Sequence, residues 1–205
     1  KYISLLAFLG SPFFSSQTFA AECATGTAPL AGCTIDVSDI TYTLTGNITP
    51  ASGDIGIQFN TGADRNDVTL TGNITTTGDN AQGLRLSSSD SNTTNLTGNI
   101  TTTGGIGHGL VLDNSNSNIT NITGNISTGN TTEDLSFGLY LLNSDSNTTN
   151  LTGNITTTGN DATGLFINTS NSNTTNLTGN ITTTGTFAYG LYLFNSNSNT
   201  TNLTG

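Results

Sequence analysis

Apolar residues recur along this chain at a nearly fixed interval. The motif Leu-Thr-Gly-Asn-Ile, or a near copy, begins at Leu44, Leu70, Leu96, Ile122, Leu151 and Leu177, and a further copy begins at Leu203. Neighbouring copies lie 26 residues apart, except for one interval of 29 residues. Self-similarity at such a period is typical of stacked repeat proteins, in which each repeat contacts mainly its neighbours.

Within one repeat, alternation of apolar and polar positions predicts short strands. In residues 95–103, Leu96 and Ile100 fall on one face, with Gly98 and Thr102, while the odd-numbered positions fall on the other. Thr and Ile are β-branched and favour strands. A break at Gly104 and Gly105 precedes a second predicted strand, which recurs at Gly83–Leu86, Gly109–Leu112, Gly138–Leu141, Gly164–Ile167 and Gly190–Leu193. The Asn/Ser-rich segment that follows predicts a turn.

These elements predict an all-β fold, a right-handed parallel β-helix (β-solenoid) with about 26 residues per coil. Leu and Ile would form ladders inside, Asn in register would form side-chain hydrogen-bond ladders, and the motif glycine would allow a tight bend or a close backbone approach. The longer coil predicts a loop near Gly129–Leu135. The right-handed sense follows from the rarity of left-handed crossovers.

Composition excludes two classes of partner. The 205-residue chain has a net charge of −10 and only three basic residues, which cannot form the cationic face that nucleic acid or anionic lipid needs. A hydrophobic content of 32% is low. The apolar residues nevertheless recur at fixed positions, which indicates stacking rather than disorder.

The first residues read as an export signal. Lys1, the apolar run 2–9 and Ala20 before Ala21 predict a secretory signal peptide over residues 1–21, too short to span a bilayer. We expect an N-terminal cap segment at 22–40 and β-helix repeats at 41–205. The missing initiator Met and the end inside a repeat lead us to expect a chain truncated at both ends.

Cys23 and Cys33 are the only cysteines. In an exported chain, a pair this close predicts one disulfide that closes a small loop. A redox or metal pair is the alternative, but the spacing is not Cys-x-x-Cys and no second pair accompanies it.

Candidate catalytic chemistry is sparse. His108 is the only histidine, and its glycine neighbours predict a solvent-facing loop position. No Gly-x-Ser-x-Gly elbow occurs, and the acidic residues are scattered. Asp90 and Asp145 recur at equivalent turns and would suit calcium, but other coils carry Asn there, which a turn explains without a metal. We predict a non-catalytic protein with no cofactor and no metal.

Two outward rows are candidate contact surfaces. The first is apolar and aromatic and consists of Val111, Tyr140, Leu142, Phe166, Tyr192 and Phe194. An exposed patch of this kind marks a contact site, unless flanking loops cover it or the aromatic residues simply favour strands. The second consists of the Thr-x-Thr pairs Thr75 and Thr77, Thr101 and Thr103, Thr156 and Thr158, and Thr182 and Thr184. Regular Thr arrays on flat β-solenoids resemble those of ice-binding proteins.

The signal peptide, the short Cys-bearing segment and the coils of the type Asn-Leu-Thr-Gly-Asn-Ile-Thr-Thr-Thr-Gly…Gly-Leu-x-Leu resemble the passenger region of bacterial autotransporters (type V secretion). The resemblance covers nearly all of the chain. It implies export, a C-terminal outer-membrane β-barrel translocator outside these residues, and display at the cell surface or release. The function it implies is adhesion to other cell surfaces or self-association. A secreted ice-binding or other ligand-binding solenoid is the alternative.

Overall fold

The computed structural model describes residues 21–27, 31–129 and 135–205. Residues 1–20 of the predicted signal peptide and residues 130–134 of the predicted loop lie outside the described residues. The described residues form strands and turns, and no helix among them is long and apolar enough to cross a membrane.

Short strands follow one another along the whole described chain. They are β1 (Ala21–Glu22), β2 (Gly26–Thr27), β3 (Cys33–Ile35), β4 (Thr41–Thr45), β5 (Ile57–Phe59), β6 (Asp67–Thr71), β7 (Ile74–Thr77), β8 (Leu84–Ser87), β9 (Thr93–Thr97), β10 (Ile100–Thr103), β11 (Leu110–Asp113), β12 (Ile119–Thr123), β13 (Ile126–Gly129), β14 (Phe137–Leu142), β15 (Thr148–Thr152), β16 (Ile155–Thr158), β17 (Thr163–Asn168), β18 (Thr174–Thr178), β19 (Ile181–Thr184), β20 (Tyr189–Phe194) and β21 (Thr200–Thr204).

The strands assemble into three parallel sheets, and each full coil contributes one strand to each sheet. Sheet 1 has the order β1-β3-β5-β8-β11-β14-β17-β20, sheet 2 the order β2-β4-β6-β9-β12-β15-β18-β21, and sheet 3 the order β19-β16-β13-β10-β7. Equivalent residues of successive coils pair, as Leu70 does with Leu96 and Leu96 with Ile122. The predicted all-β parallel solenoid with about 26 residues per coil is therefore confirmed. The right-handed sense stays a prediction.

A corner divides the alternating run of residues 95–103 into two strands. β9 ends at Thr97 and β10 begins at Ile100, with Gly98 between them at a φ of 149°. A Cβ on Gly98 would lie 2.0 Å from the carbonyl oxygen of Gly72, in the preceding coil. The motif glycine is required because the coils approach each other too closely here for any side chain. The inward and outward faces still alternate across the corner, as predicted.

The interior combines apolar ladders with threonine. Leu96, Ile100 and Leu110 are fully or almost fully buried, and so are their equivalents in neighbouring coils. Two columns of buried Thr run beside them: Thr94, Thr120, Thr149 and Thr175 from sheet 2, and Thr76, Thr102, Thr128 and Thr157 from sheet 3. Within the described chain, the hydroxyl oxygens of all these threonines except Thr102 lack a hydrogen-bond partner.

Asn and Asp side chains connect successive coils, as the sequence predicts for Asn. In the buried Asn ladder, the backbone N–H of each member donates to the side-chain oxygen of the next, at 2.8 Å in every step: Asn66, Asn92, Asn118, Asn147, Asn173 and Asn199. In the turn ladder, each side-chain oxygen accepts from the backbone N–H one coil further on: Asp64, Asp90, Asn116, Asp145, Asn171 and Asn197. Asp90 and Asp145 therefore act as rungs of a hydrogen-bond ladder.

The N-terminal segment is continuous with the solenoid. β1 pairs with β3 and β2 with β4, both in parallel. A disulfide joins Cys23 to Cys33, whose Cα atoms are 5.0 Å apart, and both cysteines are buried. Closing this small loop stabilises the folded chain mainly by restricting the unfolded one.

Candidate binding surface on sheet 1

The aromatic residues predicted to stack on the outer face of sheet 1 lie in adjacent rungs. Tyr140 pairs with Phe166, and Phe166 with Tyr192. The planes of neighbouring rings are nearly parallel, and the ring centroids are 5.2 Å and 5.1 Å apart. We name Tyr140, Phe166 and Tyr192 the aromatic stripe. Leu142 and Phe194 lie in the outward row beside it, with Asn168 between them.

Val111, predicted to belong to this exposed surface, is instead buried, with only 4% of its surface accessible. Its neighbours in the row are Arg85 and Tyr140, whose side chains are much longer. Arg85 also forms an ion pair with Asp113 at 3.2 Å, two residues further along Val111's own strand. The short valine is covered between these groups, so the exposed surface begins at Tyr140.

The prediction that His108 faces solvent is wrong. The side chain is 6% exposed and its ring lies parallel to that of Phe137, with centroids 4.8 Å apart. Its Nδ1 accepts a hydrogen bond from the backbone N–H of Phe137 at 3.0 Å. Burial, and to a lesser extent the charge of Arg85, lowers the pKa of His108 to about 4. A neutral ring in this position acts as part of an aromatic cluster.

A second column, which we name the loop column, packs against the stripe and is buried except at Tyr189. Its members each precede the glycine that opens a second strand of the repeat: His108, Phe137, Thr163 and Tyr189. Thr163 pairs with Phe137 on one side and with Tyr189 on the other. Because Thr163 is small and lies between two rings, a cavity of about 120 Å³ opens there. The column follows from an alignment of the repeats on Gly-Leu-x-Leu, but the alternation within one repeat does not predict it.

The predicted Thr-x-Thr pairs face outward on sheet 3. Thr75 pairs with Thr101 and Thr77 with Thr103, and the same register relates the pairs of β16 and β19, Thr156 with Thr182 and Thr158 with Thr184. In β13, Ser127 and Gly129 occupy the equivalent positions, so the array is interrupted in its middle coil.

Sheet 2 carries a longer threonine column, which was not among the predicted surfaces. Its members are all exposed and directly paired from coil to coil: Thr27, Thr45, Thr71, Thr97, Thr123, Thr152, Thr178 and Thr204. From Thr45 onward they are the threonines of the Leu-Thr-Gly motif itself. Beside them, the side-chain amides of Asn95, Asn121, Asn150, Asn176 and Asn202 form a further hydrogen-bonded ladder.

Charged groups are few on the described surface. Arg65 pairs with Asp39 at 2.7 Å, and this hydrogen-bonded contact holds the pKa of the exposed Asp39 carboxyl below its usual value. No group of three or more His, Cys, Asp or Glu side chains among the described residues is arranged to hold a metal ion. The exposed rows described above consist instead of aromatic rings and hydroxyl groups.

No protein-family model, curated protein or solved structure matches this chain. The paired strands themselves define the fold, which does not by itself determine a function.

Proposed function

We propose that this chain is the repeat part of an autotransporter passenger, a surface-displayed or secreted β-helix that mediates adhesion or self-association without catalysis. A C-terminal outer-membrane β-barrel would deliver it. The observation that carries the proposal is the aromatic stripe, a row of neutral rings on the outside of a regular rod.

The inner members of the stripe favour a contact role. Tyr140 and Phe166 have a coil on either side of them, yet both remain partly exposed. Stacking occupies the ring faces, so the ring edges and the Tyr hydroxyl groups point outward. Rows of this kind fit a second copy of the same chain, because both partners carry the same spacing between coils.

The mechanism would be avidity along the rod. A single ring contributes a weak contact, but coils in register present several such contacts at once. Once one contact forms, the next is effectively intramolecular, so the total affinity greatly exceeds that of any single rung. A stiff solenoid suits this mechanism since its binding groups are held at fixed spacing before contact.

The test replaces Tyr140, Phe166 and Tyr192 together by Ser. We expect the wild-type chain to sediment as dimers or larger species and to clump cells that display it, and the stripe variant to remain monomeric and non-adhesive. Ser replacements of Thr123, Thr152 and Thr178, on sheet 2, are the matched control and should behave as wild type. Urea unfolding verifies that each variant is folded. Unchanged association of the stripe variant would exclude the proposal.

The register of the Thr rows favours a second candidate, a secreted solenoid that binds ice or another regular ligand through hydroxyl groups. The pairs at Thr75–Thr77 and Thr101–Thr103 are aligned across adjacent strands. Measurement of thermal hysteresis and ice-crystal shape tests this candidate directly. Absence of both effects at high protein concentration would remove it.

A further inference from the structure

The cavity beside the aromatic stripe is a slot between two rings. Thr163 is buried at its base, while Phe137 and Tyr189 occupy the same column one coil before and one coil after it. Parallel strands lie about 4.8 Å apart, so the two rings are separated by roughly 10 Å. A group held midway would lie roughly 5 Å from each ring, close enough for apolar contact with both.

The floor of the slot is also aromatic. Phe166 lies edge-on to Phe137, with centroids 5.1 Å apart, and Tyr192 stacks on Tyr189 at 5.3 Å. A bound group would therefore meet rings on both sides and beneath it. This lining is largely apolar and favours a ligand with apolar groups, and the carboxylate of Asp161 adds a preference for positive charge.

A carboxylate lies at the rim. Asp161 lines the cavity, and its φ of 56° places it in the left-handed turn that precedes β17. The described residues contain two ion pairs, Arg65 with Asp39 and Arg85 with Asp113, and neither involves Asp161. The Asp161 charge therefore remains available to a ligand.

We propose that this slot binds a methylated ammonium group, of the kind found in choline. Such a cation gains electrostatic attraction from Asp161, and its methyl groups gain apolar contact with the rings. A bare ammonium is more strongly hydrated and would lose more on entering. The volume of about 120 Å³ suits one compact headgroup. This site goes beyond the self-association proposed above because it needs a small cation and no second copy of the chain.

The test titrates the 205-residue chain with choline, and separately with 3,3-dimethylbutan-1-ol, the neutral molecule of the same shape. NMR chemical-shift changes and calorimetry report binding. We expect choline to bind at least tenfold more tightly than the alcohol, with shift changes at Phe137, Tyr189 and Tyr192. Equal affinity for the two compounds, or no binding of choline, would overturn the proposal.

Two substitutions locate the site. Asp161→Asn removes the charge, and Asn80 already holds the equivalent turn with a φ of 60°, so the fold tolerates it. We expect it to weaken choline binding about tenfold, whereas Asp145→Asn, which removes a carboxylate from the distant turn ladder, should leave affinity unchanged. Equal weakening by both variants would show a general charge effect and overturn the site.

Thr163→Phe should fill the slot and abolish choline binding while it leaves the aromatic stripe in place. Its self-association in sedimentation should then match wild type. The triple Ser variant of the stripe also removes Phe166 and Tyr192 from the floor of the slot, so it should lose both properties. Loss of one property without the other separates failure of this proposal from failure of the adhesive function. Retained choline binding by a folded Thr163→Phe variant would contradict the proposed position.

Discussion

Burial changes the chemistry of His108. Its Nδ1 accepts the Phe137 N–H, and its ring is stacked on Phe137 with little access to water. Protonation would put a second donor against that N–H and would leave a charge in an apolar setting. Burial, and to a lesser extent the charge of Arg85, lowers the pKa of His108 to about 4.

The folded state should therefore lose stability as the pH falls through this range. An unfolded histidine titrates near its ordinary value of about 6.5, so between pH 6.5 and 4 the unfolded chain binds a proton that the folded chain does not. The free energy of unfolding should fall by up to about 3 kcal/mol across that window. Urea unfolding at a series of pH values measures it.

His108→Gln is the matched control, since Gln82 holds the equivalent position one coil earlier. A Gln side-chain oxygen can accept the Phe137 N–H without titrating. As the pH is lowered from about 6.5 to 5, the free energy of unfolding should fall less for this variant than for wild type. Identical pH dependence of the two proteins would assign the loss to carboxyl groups elsewhere.

Sequence patterns located inward leucines but did not predict what covers an outward residue. Leu96, Leu110 and Leu139 lie inside as the alternation indicates. Val111 and His108 are buried through contacts with long side chains from neighbouring coils, Arg85 and Phe137. Those contacts depend on which residues stack across the repeat, so the alternation within one coil carries no signal for them.

Columns of identical side chains, stacked from coil to coil, differ in whether their members can form hydrogen bonds with one another. An Asn amide has both a donor and an acceptor, so it reaches across the strand spacing of about 4.8 Å to an identical neighbour. A Thr hydroxyl forms hydrogen bonds at about 2.8 Å and cannot reach the next hydroxyl in register. The buried Thr columns are therefore left with unpaired oxygens, as at Thr94, Thr120 and Thr149.

Replacing such a hydroxyl by a methyl group should stabilise the fold. Thr120→Val and Thr149→Val each remove a buried unpaired oxygen at nearly constant shape, and each should raise the free energy of unfolding by about 1 kcal/mol. Thr102→Val is the control, because its hydroxyl donates to the Gly107 carbonyl at 3.0 Å. That variant should be destabilised by about 1 kcal/mol. Destabilisation by Thr120→Val, measured by urea unfolding, would contradict this account.

The strands were largely predictable from the sequence, whereas the corners between strands and the contacts between coils were not. Each predicted second strand is present within two residues of its expected bounds, as at Leu110–Asp113. The corner at Gly98 was signalled only as a possible bend, because alternation continues across it. The slot at Thr163 escaped prediction since it results from a small residue between two large ones in different coils.

Across the whole molecule, each coil contacts the coil before and the coil after it. The paired strands join equivalent positions, and the hydrogen-bond ladders repeat the same step of 26 or 29 residues. Stability in such a chain is close to a sum of repeat and neighbour terms. The repeat period and the alternation within each repeat together were enough to predict this architecture, while no surface motif in the sequence specified a ligand.

Removal of one whole coil should therefore preserve the fold. Deleting residues 151–176 joins Asn150 to Leu177 and recreates the strand sequence Thr-Thr-Asn-Leu-Thr. We expect β-type circular dichroism and cooperative urea unfolding, with a smaller m-value because less surface is exposed on unfolding. Deleting only residues 151–163 breaks the register and should abolish cooperative unfolding. Similar behaviour of the two deletions would contradict the additive picture.

Because each coil contacts mainly its two neighbours, the chain should respond to mechanical force in a characteristic way. Tension applied at one end would unfold the terminal coil first. The remaining coils would keep their contacts and then unfold one after another. Each coil of 26 residues would release roughly 90 Å of contour length, and the 29-residue coil slightly more. The rod would thus extend in nearly equal steps and dissipate a pull gradually.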